Sequence, residues 1–131
     1  MKLLEILLNR KKYVRPKVLN GSDYDLLQER WKNIEKLIAA GKPSALRQAV
    51  VEADKLLEFS LKKLINKDQS LGENLKQAKD LFPDWNTYQQ AWEAHKIRNA
   101  LVHEANFEPT YSVSKEAIAK FKHSLQALGV L

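Results

Sequence analysis

The chain has 131 residues, 44% hydrophobic and 29% charged, with a formal net charge of +6. That balance excludes a disordered chain, and the length suits one compact domain burying roughly two thirds of its unfolded surface. Cysteine is absent, which excludes disulfides, thiolate catalysis and cysteine zinc sites together and leads us to expect a reducing, cytoplasmic setting.

The charge is unevenly placed. Residues 1–20 hold Lys2, Arg10, Lys11, Lys12, Arg15 and Lys17 against Glu5, so +5 of the +6 lies there and the rest is nearly neutral. We divide the chain into a basic arm with a short apolar helix (1–21) and a helical bundle (22–131). Arg10, Lys11, Lys12, Arg15 and Lys17 are candidate phosphate contacts, which would bind nucleic acid by counterion release; a solvated arm without a fixed partner is the plain alternative. Leu3-Leu4-Glu5-Ile6-Leu7-Leu8 is short, broken by an acid and followed by its basic cluster, the reverse of a secretory leader. No run approaches the roughly 20 apolar residues of a membrane span.

From Ser22 onward the pattern is helical, with no strand-like alternation. Ser22 or Asp23 should cap a first long helix that runs to about Ala40, where Gly41 ends it. Pro43 opens a second, carried by Leu46, Ala49, Val50, Ala53, Leu57, Leu61 and Leu64. Ser70-Leu71-Gly72-Glu73 has capping-box form and predicts a short third helix through Lys79. A turn at Leu81-Phe82-Pro83-Asp84-Trp85 follows, then a fourth helix capped by Asn86 or Thr87 and ending at His103 or Glu104. Ser112 or Ser114 should start a fifth, which Gly129 closes. Short connections between long amphipathic helices imply an all-α, up-and-down bundle of four long helices and one short one.

The fourth helix is the most informative. At about 100° per residue, with Arg98 at zero, Val102 falls near 40°, His95 near 60°, Asn99 near 100° and His103 near 140°. The polar side chains of Arg98, His95, Asn99 and His103 thus share an arc with Tyr88, Ala91, Trp92 and Val102, whereas Gln89, Glu93, Lys96 and Glu104 face the opposite way. Polar side chains within an apolar face must be paired, lie in an interface or line a pocket, because unsatisfied burial costs several kcal/mol. Asp54 borders the apolar stripe of the second helix, where it can pair with Arg98 or a histidine or simply face solvent, as most such acids do.

Arg98-Asn99 followed by Ala100-Leu101-Val102 and His103 resembles the R-x4-6-H motif of HEPN domains, which are compact helical bundles. The run from Trp92 to Asn99, ending in His103-Glu104, and the segment Ala49–Leu57 are also similar to uncharacterised bacterial proteins with a C-terminal HEPN-like domain. The resemblance covers about residues 23–131. It implies a homodimer and a metal-independent endoribonuclease site for single-stranded RNA where two protomers meet. By that resemblance His103 would exchange protons with the 2′-hydroxyl and the leaving oxygen, Arg98 would stabilise charge on the phosphate, and Asn99 would orient a neighbour, with His95 and Asp54 supporting. The chemistry is sound: imidazole moves protons near neutral pH and guanidinium grips phosphate bidentately. Many family members lack activity, so the alternative is a non-catalytic dimerisation or interaction module that binds a protein or nucleic-acid partner.

No cofactor or metal is expected, since the chain has neither a phosphate-cradling glycine loop nor an H-E-x-x-H spacing. Trp31, Trp85 and Trp92 read as core anchors rather than base-stacking platforms. His123 reads as a surface residue.

Overall fold

The computed structural model describes residues 19–131, and 79% of them are helical, with no strand. The apolar segment Leu3–Leu8 and the arm residues Arg10, Lys11, Lys12, Arg15 and Lys17 lie outside the described residues. The helices are α1 (Gly21–Ala40), α2 (Pro43–Ile65), α3 (Leu71–Gln77), α4 (Trp85–His103) and α5 (Tyr111–Ala127), with one 3-10 turn at Lys79–Leu81 between α3 and α4. No described helix is long and apolar enough to cross a membrane.

Every described helix but α2 begins at a side chain that claims otherwise orphaned amides, and α2 opens on Pro43, which has no amide N–H to satisfy. Asn20 caps α1 in a reciprocal capping box with Asp23, so the cap lies two to three residues before the expected Ser22 or Asp23. Leu19, just before that cap, is buried in the core. Ser70 caps α3 as expected, but the helix ends at Gln77, short of Lys79. Asp84, not Asn86 or Thr87, caps α4, and Thr110, not Ser112 or Ser114, caps α5. In both cases an acceptor further upstream reaches the amide three residues on.

The C-terminal ends of three long helices are equally local. Gly41 after α1 and Asn66 after α2 adopt left-handed backbone, as does Gly129 after α5. At α5 the Val130 amide donates to Leu125 O and the Gly129 amide to Gln126 O, a Schellman closure with Val130 buried against the core.

α2 is the hub of the bundle, packing on α1, α3, α4 and α5, while α4 also lies along α5. Leu27 and Ile34 from α1, Val50, Leu57 and Leu61 from α2, Leu75 from α3 and Phe121 and Leu125 from α5 fill a single core. α4 contributes mainly small side chains, Ala91 and Ala94, both fully buried, flanked by Tyr88 and Leu101. The Tyr88 hydroxyl donates to Leu75 O at 2.8 Å, tying α4 to the end of α3.

The three tryptophans diverge. Trp31 is a core residue and Trp92 is half-buried. Trp85, expected to be an anchor, is 58% exposed, with Lys79 Nζ 5.3 Å above its ring. As the first residue of α4 it lies beyond the layer that α3 covers. His123 is exposed, near Gln90.

Candidate functional site

α4 carries the site, and its start is well fixed. Asp84 Oδ1 accepts from the Thr87 amide at 2.7 Å and from the Thr87 hydroxyl at 2.8 Å. Those bonds, the backbone one foremost, hold the Asp84 carboxyl below its ordinary range. Three turns along, the polar arc meets α2.

There four side chains close a ring. His95 Nδ1 lies 2.7 Å from Asp54 Oδ1; a carboxylate only accepts, so Nδ1 carries the proton and donates. His95 Nε2 is then an acceptor, and Asn99 Nδ2 donates to it at 3.3 Å. The Asn99 amide, so oriented, turns Oδ1 to Arg98, whose Nη1 donates to it at 3.0 Å. Arg98 Nε completes the circuit 3.4 Å from Asp54 Oδ2. That last contact is an ion pair, not a hydrogen bond: Nε is buried and no acceptor is aligned with its N–H.

Burial makes this ring consequential. Asp54 is 1% and His95 7% exposed, and a lone buried carboxylate costs several kcal/mol. A guanidinium on one oxygen and an imidazole N–H on the other offset that cost. Gly72, in the first turn of α3, closes the Nε2 side: a Cβ there would sit 3.9 Å from Nε2, ordinary contact distance. Trp92 flanks the imidazole, with ring centroids 6.2 Å apart.

The structure therefore brings Asp54, His95, Arg98 and Asn99 together. His103 is not part of the ring. It is the last residue of α4, exposed, and no hydrogen bond or ion pair reaches its imidazole from the described residues. Its neighbour Val102 is 50% exposed. Arg98 is about three-quarters covered, and its Nη2 makes no hydrogen bond within the described residues.

Two residues at the site had escaped sequence reasoning. Gly72 served there only as part of a capping box. Arg47 on α2 carries no local signal, because its partners lie 54 to 61 residues away: Nη2 donates to Leu101 O at 3.1 Å and Nη1 reaches Phe107 O and Glu108 Oε1.

Among the described residues no three His, Cys, Asp or Glu side chains gather as a metal-binding group. A cleft of about 370 Å³ runs between α4 and α5 over Ile97, Val113 and Ala117. Compared with known proteins, the chain matches no family model, no curated protein and no solved structure.

Proposed function

We propose that this chain is a HEPN-like domain, an up-and-down bundle that pairs as a homodimer through the α4 region and cleaves single-stranded RNA in the cytoplasm without a metal. The observation that carries the reading is the division of labour on one helix. Among the described residues, Arg98 is held by Asp54 and Asn99 with Nη2 unbonded, while His103 stands exposed and without a partner at the helix end. The first suits a fixed clamp on a phosphate, the second a group that must gain and lose a proton. His103 takes the proton of the RNA 2′-hydroxyl, the 2′-oxygen attacks phosphorus, and the P–O5′ bond breaks as the resulting imidazolium gives its proton to the departing 5′-oxygen. The products are a 2′,3′-cyclic phosphate and a free 5′-hydroxyl. Arg98 offsets the charge that builds on the non-bridging oxygens. Arg10, Lys11, Lys12, Arg15 and Lys17 add a salt-sensitive share of the affinity.

One observation favours a second reading. The ring satisfies His95 and Asn99 internally and gives Arg98 a counter-charge, as a pin between α2 and α4 would. On that reading the domain is a non-catalytic module for dimerisation or for a protein or nucleic-acid partner.

Incubation of the purified protein with single-stranded RNA in EDTA, alongside light scattering, separates the two. Cyclic-phosphate ends and a dimer at tens of micromolar are expected. A dimer that leaves every RNA intact moves the assignment to the interaction module, and a monomer removes the shared site.

A further inference from the structure

We propose that Arg47 is the positioning residue for the end of α4, and through it for His103; the second step rests on the role of His103 proposed above. The last carbonyls of a helix have no partner within it and need one from outside. α1 and α5 meet this need locally, the Gly41 amide donating to Ile38 O and the Gly129 and Val130 amides to Gln126 O and Leu125 O, and α2 is likewise followed by a residue in left-handed backbone, Asn66. Among the described long helices α4 alone lacks such a residue: its C-cap, Glu104, is extended, with φ −106° and ψ 110°. The Glu104 amide claims Ala100 O, so Leu101 O is the next carbonyl in need of a donor.

Arg47 supplies it from α2. Its Nη2 donates to Leu101 O at 3.1 Å, while Nη1 reaches Phe107 O at 3.5 Å and Glu108 Oε1 at 3.3 Å. One planar guanidinium thus ties the last turn of α4 to the loop that leaves it, and its positive charge sits where the helix dipole is negative. Arg47 and Asp54 are seven residues apart, two turns along one face of α2. The earlier residue grips α4 at Leu101 and the later one at His95 and Arg98, so α2 runs antiparallel to α4 and holds it at two points. Asp54 sets the guanidinium of the motif. Arg47 sets the turn that carries its histidine.

The test compares full-length wild type with Arg47→Ala and Arg47→Lys. In Arg47→Ala the amides of residues 101–104 should exchange about tenfold faster or more, the effect of losing one charge-assisted hydrogen bond. The amides of Ala91 and Ala94 should hold. The three histidines act as separate NMR reporters: the His103 imidazole resonances should shift toward free-peptide values while those of His95 and His123 stay in place. Arg47→Lys should recover only part of the protection, because one ammonium cannot span both carbonyls. Where wild type cleaves RNA, kcat should fall about tenfold in Arg47→Ala, in step with that loss, with KM unchanged. Wild-type exchange at 101–104, full recovery by lysine, or an undiminished kcat each overturns the assignment. Should wild type cleave nothing, the nuclease reading falls while exchange and the His103 resonances still decide whether Arg47 positions the helix end.

Discussion

Asp54 on α2 accepts a 2.7 Å hydrogen bond from His95 on α4, across 41 residues of sequence, at a point where both side chains are buried. This contact turns a mixed helix face into a closed circuit and fixes the register of α4 against α2. Removing the acid leaves an imidazole N–H and a guanidinium without their counter-charge. Asp54→Ala should cost about 3 to 5 kcal/mol in urea denaturation. Paired with His95→Ala, the double-mutant cycle should show coupling of about 1 to 3 kcal/mol. Additive effects would mean that the two side chains do not interact in solution.

The directions of the ring bonds also fix where the proton sits on His95. The carboxylate accepts at Nδ1 and the Asn99 amide donates at Nε2, so the neutral imidazole should be the Nδ1–H tautomer. Nitrogen-15 NMR of the three histidines reads this directly. An Nε2–H tautomer at His95 would require the Asn99 amide to be reversed, and with it the bond to Arg98.

Trp31 and Trp85 should respond oppositely to the same substitution. Trp31 lies in the core, so Trp31→Ala should cost about 3 to 5 kcal/mol. Trp85 is mostly exposed and stacks chiefly with Lys79 and Tyr88, so Trp85→Ala should cost under about 1 kcal/mol. Thermal denaturation of both variants checks the contrast; equal losses would contradict the exposed position of Trp85.

The start of α4 carries a pH signature. Asp84 has its carboxyl lowered from 3.8 by the Thr87 amide and then the Thr87 hydroxyl. A carboxyl depressed in the folded state stabilises above its unfolded value and loses that contribution as pH falls through the folded one. Acidification below about 3.8 should therefore loosen the first turn of α4, seen as faster exchange at Thr87. Asp84→Asn keeps an acceptor and removes the titration, so its Thr87 exchange should lose that acid dependence. An acid dependence that survives in Asp84→Asn would place its origin elsewhere.

On the nuclease reading, the two motif residues should fail in different ways. His103 is exposed and has no partner among the described residues, so His103→Ala should leave the melting temperature within a few degrees while lowering kcat by roughly 10²–10⁴. Arg98→Lys should lose both activity and stability, since an ammonium cannot face Asp54 Oδ2 and Asn99 Oδ1 together as the planar fork does. Cleavage that persists in both variants would trace to a contaminating nuclease.

Taken alone, the sequence determined the parts that depend on neighbours within a few residues. Apolar spacing and capping signals located the five described helices, Gly41 and Gly129 marked two of their ends, and the 100° turn placed His95, Arg98 and Asn99 on one arc. It nominated Asp54 without choosing among Arg98, a histidine and solvent as its surroundings. The tertiary structure made that choice, giving Asp54 both a histidine and the arginine. It also left Trp85 and His103 outside the core and brought Arg47 to the end of α4. The physical reason is one of range. Periodicity and capping are settled by hydrogen bonds and rotamers three or four residues apart. The meeting of α2 with α4 is set by the angle and register at which whole apolar faces interlock. Small buried residues such as Ala53, Ala91 and Ala94 shape that packing, and no local pattern records which helix they will meet.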